Sequence, residues 1–258
     1  MTVRLEVDGH VARVTIDRPE RMNAVDADTE AALEAIWQKI GSDDALRCVV
    51  LTGAGDRAFS AGADLKSGSG LSGLEYWARQ NPNGFGGISL RESLNVPVIA
   101  RVNGLALGGG MEMVLGCDIV IAADTARFGL PEAKVGRLPL DGGMVALQRL
   151  VPRNIAAGLM LTGRMMSATE AAAYGLVNAV VPAERLDAEV DAWAADILAC
   201  APLSTKAIKA TVRKTAHLSP REARSFQTPE LIAALLSEDQ DEGVLAFREK
   251  RAPVWQGK

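Results

Sequence analysis

The chain has 258 residues, 48% of them hydrophobic, with 28 Lys and Arg against 32 Asp and Glu and a formal net charge of −4. That length suits one large α/β domain, alone or with a small appendage, and supplies ample apolar material for a core. Mixed charge of small net sign leaves no footprint for nucleic acid or an anionic membrane surface, and no apolar run approaches the roughly 18 to 20 residues that span a bilayer.

Val3, Leu5 and Val7 alternate, and Val11, Val14 and Ile16 follow the turn formers Asp8 and Gly9, which is the pattern of a two-stranded hairpin with one buried face. This opening reads as strand, not as a charged-then-apolar leader, so a cytoplasmic protein is expected. Asp26 offers an N-cap for a helix over 27–40, with Leu33, Ile36, Trp37 and Ile40 on one side. Short apolar strands are expected at 48–51 and 98–102, each running into a glycine-bearing loop, and again at 119–122 and 177–181. Helices are expected near 142–150, 154–161 and 168–173. Strand, loop and helix in repetition indicate parallel strands with crossovers, in which ligands bind outside the carboxyl ends of the strands. Residues 67–87, rich in Gly, Ser, Asn and Pro, read as a covering segment over such a pocket. The α/β core is expected to occupy 1–202, and a helical region 203–258, with Ile208, Val212, Leu231, Leu235, Val244, Leu245 and Phe247 as the apolar positions that dock on the core or on a partner.

Cys48, Cys117 and Cys200 are odd in number and lack Cys-x-x-Cys spacing, as small core residues of a reduced compartment would be. The two histidines, His10 and His217, lie near no Ser or Cys nucleophile motif. Triad hydrolysis and a His-ligated metal fit poorly, no metal is expected, and carboxylates must carry any general acid/base work.

Two glutamates stand in segments shaped for that work. Glu112 follows Gly108, Gly109 and Gly110 at the head of an apolar helix-forming run to Leu115, where a packing face has no use for an acid. Glu132 follows Pro131 and is bracketed by turn formers, Gly129 before it and Gly136 after it. A third segment, Phe59-Ser60-Ala61-Gly62-Ala63-Asp64-Leu65-Lys66, has side chains small enough for a ligand to reach the main chain. One of its N–H groups and that of Gly109, at a helix N-terminus, would together grip a carbonyl oxygen as an oxyanion hole. The glycine run does not satisfy Gly-x-Gly-x-x-Gly, so a dinucleotide site is disfavoured.

Taken in order, Arg18-Pro19-Glu20-Arg21-Met22-Asn23-Ala24, Ser60-Ala61-Gly62-Ala63-Asp64, Asn103-Gly104 through Gly110, Pro131-Glu132 and Glu249-Lys250-Arg251 resemble the crotonase, or enoyl-CoA hydratase/isomerase, family over nearly the whole chain. The resemblance implies a crotonase-like ββα spiral, a C-terminal helical region used to form a trimer or a dimer of trimers, and an acyl-CoA substrate, coenzyme A entering as part of the substrate and no separate cofactor being needed. It implies that the Ala61 and Gly109 N–H groups hold the thioester oxygen, that Ala61, Gly62, Ala63, Asp64 and Leu65 line the CoA path, and that Glu112 and Glu132 act on a water at C3 and a proton at C2. Lys250 would reach the CoA phosphates or remain a solvated charge. Glu112 favours reversible hydration of a 2-enoyl-CoA over double-bond isomerisation. The sequence departs from the usual hydratase at Leu140-Asp141, where Asp141 either binds a polar or cationic acyl substituent or caps the following helix. With the ending Glu249-Lys250-Arg251 and Pro253-Val254-Trp255, the chain is also similar to the carnitinyl-CoA dehydratase branch of that family.

Overall fold

The structure is a computed structural model that describes residues 2–67, 70–79 and 81–258; Gly68, Ser69 and Gln80 of the expected covering segment lie outside it. Val3–Asp8 (β1) and Val11–Ile16 (β2) pair antiparallel across Gly9, with Val3 opposite Ile16. Asp26 accepts the Thr29 N–H at 2.9 Å and caps Ala27–Gly41 (α1), whose Leu33, Trp37 and Ile40 recur at helical spacing on the buried side. From there the chain steps between two sheets. Cys48–Gly53 (β3) joins the first and Ala58–Ser60 (β4) the second. After Gly73–Ala78 (α2), Val98–Val102 (β5) returns to the first, Leu105–Leu107 (β6) to the second, and Gly109–Leu115 (α3) closes the turn. Ile119–Ala123 (β7) and Arg127–Gly129 (β8) repeat the step, followed by Gly143–Leu150 (α4) and Arg153–Thr162 (α5). Met165–Ser167 (β9), Ala168–Ala173 (α6), Ala179–Val181 (β10) and Leu186–Leu198 (α7) complete both sheets and cover them.

Among the described residues the first sheet runs β1-β2-β3-β5-β7-β10 and the second β4-β6-β8-β9, parallel except at β1–β2 and β8–β9. This is the expected α/β spiral of ββα turns. The second sheet has no counterpart in the sequence reading, because each of its strands is three residues long, too short for alternation to show. Alternate residues of the first sheet feed two cores. Val49, Leu51, Val98, Ala100 and Val102 pack with α1, while Cys48, Val50, Ile99 and Ile121 pack with Leu186, Val190 and Ala194 of α7.

Four helices finish the chain: Pro202–Thr215 (α8), Pro220–Ser225 (α9), Pro229–Leu235 (α10) and Glu238–Glu249 (α11). The buried Lys209 ties α8 to the body, its Nζ donating to Val96 O at 2.6 Å and meeting Asp118 at 2.7 Å. Ile208, Val212, Leu235, Val244, Leu245 and Phe247 remain exposed on this chain. No helix of the described residues is long and apolar enough to cross a membrane. Cys48 is buried, but Cys200 is exposed, so it is not the core residue expected of it.

Two buried asparagines fix the loop between β3 and β4. Asn103 Nδ2 donates to Gly53 O, Gly55 O and Ala58 O at 3.0, 2.7 and 3.1 Å, and Asn23 Nδ2 donates to Ala54 O and Ala58 O at 2.9 and 2.7 Å. Asn23 O in turn accepts from Ser60 Oγ, which receives the Gly62 N–H. The Asn-Gly after β5 and the Arg-Pro-x-x-Met-Asn run are thus the clamps that aim the Ala61 to Ala63 turn. We predict that Asn103→Ala, which strips donors from three carbonyls, lowers unfolding stability by about 2 to 3 kcal/mol in denaturant titration; a loss under ~0.5 kcal/mol would show that water replaces the clamp.

Candidate active site

Glu112 lies one turn into α3, is 3% exposed, and accepts the Gly143 N–H on Oε1 at 2.8 Å. That contact requires glycine at 143: a Cβ there would lie 2.6 Å from Pro139, 2.9 Å from Leu130 and 3.1 Å from the Glu112 carboxylate itself. Burial pushes the Glu112 carboxyl up to about 8, the negative charges of Asp141 and Glu132 push the same way, and the Gly143 and Asp141 N–H groups oppose them. Glu132 opens a short 3-10 turn, Glu132–Val135, behind Pro131. Its Oε1 lies over Gly108, where an added Cβ would meet it at 3.2 Å, and Gly108 O receives the Glu112 N–H at 3.0 Å. The second carboxylate therefore overhangs the helix turn that carries the first. Glu132 Oε2 is buried with no hydrogen-bond partner among the described residues, and burial raises this carboxyl as well. The structure thus brings together the two glutamates that the sequence singles out.

The glycine-rich turn is brought to the same place. Gly62, at φ +84°, abuts the head of α3 so closely that a Cβ would lie 2.7 Å from Leu107 O and 2.8 Å from Gly109 N. Within this turn the expected donor needs correction. The Ala61 N–H already donates to Met22 O at 2.9 Å, so it is not available to a ligand. Val25 N–H donates to Gly62 O and Asp64 N–H to Val25 O, a pattern that leaves the Ala63 N–H, between them, without an acceptor among the described residues. Ala63 is exposed beside the buried Gly62. The parallel pairing of residues 25 and 63, separated by almost forty positions, gave no sign of this in the sequence.

Other expected residues fall into different roles. The Asp64 carboxylate accepts from Arg18 at 3.1 Å and from the Lys66 N–H at 3.1 Å, so it braces the turn. Leu65 is 63% exposed on the outer side of that turn. Lys250 ends α11 in a left-handed conformation and is exposed; no hydrogen bond or ion pair of the described residues links it to the strand-end loops. Asp141 is not a helix cap: α4 begins at Gly143 with Gly142 in the cap position and no side-chain capping bond. The Asp141 side chain, 8% exposed, instead accepts the Tyr76 hydroxyl at 2.5 Å, and its carbonyl accepts Ser89 Oγ at 2.6 Å. The expected covering segment is narrower than 67–87, because Phe85, Gly86 and Gly87 are buried, Phe85 lying against Gly109 and Gly86 O receiving the Trp37 indole.

A family profile described as enoyl-CoA hydratase/isomerase matches residues 6–258. The chain belongs to the crotonase family. A carnitinyl-CoA dehydratase of Salmonella arizonae is 42% identical to it, covering 99% of this chain and 98% of the relative, and one of Shigella flexneri is 40% identical, covering 100% and 99%. Among solved structures, an enoyl-CoA hydratase of Bacillus anthracis at 32% identity matches the whole of both chains with a TM-score of 0.91, and one of Geobacillus kaustophilus at 35% identity matches with 0.90, covering 100% of this chain and 99% of the other. The protein is thus an enzyme of the crotonase family, and an acyl-CoA thioester is the substrate class that fits it.

Raising a carboxyl on folding has a sign for stability. Glu112 moves from 4.5 up to about 8, so the wild type carries its full stability below about pH 4.5 as far as this group is concerned and loses it as the pH rises toward 8, where the buried charge must form. We predict that Glu112→Gln, which cannot ionise, gains stability relative to the wild type from pH 5 to about pH 8 and that the gain then levels off, at about a few kcal/mol. A difference between the two that stays constant with pH would show that Glu112 is ionised throughout.

Proposed function

We propose that this enzyme catalyses the reversible addition of water across the C2–C3 double bond of a 2-enoyl-CoA. The observation that carries this reading is the overhang of Glu132 on the helix turn of Glu112, beside a turn whose Ala63 N–H is unpaired. In it, the Gly109 and Ala63 N–H groups receive the thioester oxygen and stabilise the charge that gathers there as the enolate forms. In hydration, Glu112 as carboxylate takes a proton from water while the water oxygen bonds to C3, and Glu132 delivers a proton to C2 as the enolate collapses, so that H and OH are added in sum. In dehydration, Glu132 removes the C2 proton and Glu112 protonates the departing hydroxyl. A Glu112 carboxyl held near 8 is in the acid form at neutral pH, which is the form that dehydration requires. The Ala63, Gly62 and Leu65 surface would guide the CoA arm, and the exposed apolar positions of α8 and α11 would pack against further copies in a trimer or dimer of trimers.

A second reading is favoured by Asp141. Carnitinyl-CoA carries a quaternary ammonium at the acyl end, relatives about 40% identical over their full length bear the name of its dehydratase, and Asp141 puts an additional buried carboxylate beside Glu112. Dehydration of such a cationic 3-hydroxyacyl-CoA uses the same two glutamates with the same proton bookkeeping.

The test is loss of enoyl-thioester absorbance with crotonyl-CoA and, in parallel, with 4-(trimethylammonio)crotonyl-CoA. Glu112→Gln and Glu132→Gln are each expected to lower kcat by about 100- to 10,000-fold on whichever substrate the wild type turns over. Turnover confined to the cationic substrate selects the second reading. Surviving double-bond migration in Glu112→Gln with no hydration in the wild type would overturn both in favour of an isomerase.

A further inference from the structure

Among the described residues of the covering helix α2, Tyr76 makes the side-chain hydrogen bond to the body. Within Gly73–Ala78, Leu74 and Trp77 are 73% and 65% exposed, no residue is buried, and Tyr76 alone is not exposed. A capping box between Ser72 and Glu75 stabilises the helix internally but ties it to nothing else. Tyr76 reaches the Asp141 carboxylate at 2.5 Å; Ser89 fixes the Asp141 carbonyl at 2.6 Å; and two residues on, the Gly143 N–H meets Glu112 at 2.8 Å. The segment from Asp141 to Gly143 is therefore a short strap with the covering helix at one end and the buried carboxylate at the other.

We propose that Tyr76 and Asp141 form a latch that docks α2 over the acyl end of the site, and that Asp141, held by the latch, is a positioning residue for Glu112. The proposal rests on the hydration reading for its kinetic consequence, but its structural consequence is independent of that reading. Burial raises the Asp141 carboxyl and the hydroxyl of Tyr76 opposes that rise, favouring the charged form; that charge, two residues from the strap's bond to Glu112, strengthens the hold of Glu112 on its proton. Other groups face the pair. The Asp141 charge raises Glu30 of α1, as does Glu34, while Arg79 beyond α2 and the Asn81 amide, donating at 3.2 Å, lower it; Glu30 in turn raises Tyr76, and the Glu132 charge raises Glu112. In a cluster so rich in acids, removal of the Asp141 charge must ease ionisation of Glu112. A docked α2 and a proton-loaded Glu112 would thus arise together.

Two readouts on Tyr76→Phe, Asp141→Asn and the double variant decide it. Hydrogen exchange of the 73–78 amides is expected to quicken by about tenfold or more in either single variant and by no more than that in the double, since both remove one and the same bond. The acid limb of kcat/KM against pH is expected to move to lower pH in Asp141→Asn and, in the same direction, in Tyr76→Phe, so that the rate at pH 6 relative to pH 8 rises by about 5- to 10-fold. Tyr76→Phe is also expected to raise KM more than it lowers kcat. Exchange unchanged in Tyr76→Phe, additive effects in the double, or a fall in kcat with an unmoved limb would each overturn the latch. If Asp141→Asn does not fold, Tyr76→Phe carries the test, since the ring is retained. If the exchange result holds while Glu112→Gln and Glu132→Gln still hydrate crotonyl-CoA, it is the hydration reading that fails and not the docking contact.

Discussion

The site depends on keeping one carboxylate, that of Glu112, out of water with two backbone N–H groups, those of Gly143 and Asp141, opposing the cost of its charge. A buried carboxyl with so little compensation holds its proton to about pH 8, and the neighbourhood must be built to tolerate both of its charge states. Glycine at 143 follows from this, because the donor N–H must approach the carboxylate where a methyl group would strike Pro139 and Leu130. The glycine at 62 follows from the same economy of space, since the turn that offers Ala63 has to lie against the first N–H groups of α3. The asparagine clamps hold that turn from behind, so the fold's buried polar groups and the site's geometry are one connected structure.

The two-sheet spiral makes this possible by delivering each segment to the same edge. β5 and β6 lead into α3 with Glu112, β8 leads into the turn with Glu132, and β4 leads into the Ala61 to Ala63 turn. Parallel pairing of β4, β6 and β8 sets their carboxyl ends side by side, which is where ligands of parallel sheets collect. The strap from Asp141 to Gly143 then meets Glu112 through the Gly143 N–H, and through Tyr76 it is continuous with α2, a helix with no buried residue.

How much of this was legible in the sequence varies by residue. The hairpin, the Asp26 cap, β5 and the two glutamates were readable because each has a local signature: alternation, a capping oxygen, or an acid out of place among glycines. The donor of the oxyanion turn was not, because whether Ala61 or Ala63 has a free N–H is decided by Met22 and Val25, some forty residues earlier. Asp141 was equally ambiguous. An acid just ahead of a helix is a cap by local rules, and only the tertiary approach of Tyr76 gives it another partner. α7 and the three-residue strands of the second sheet escaped for the same reason, being specified by what they cover more than by their own pattern.

The most direct measurement of the account is the position of the thioester oxygen in a crystal structure of the enzyme with acetoacetyl-CoA, a ligand that cannot be hydrated across C2–C3. That oxygen is expected within about 2.7 to 3.1 Å of both the Ala63 and the Gly109 nitrogens, with the acyl carbons between Glu112 and Glu132. An oxygen bound to the Ala61 N–H with its Met22 bond broken, or an acyl group lying away from the two carboxylates, would contradict it.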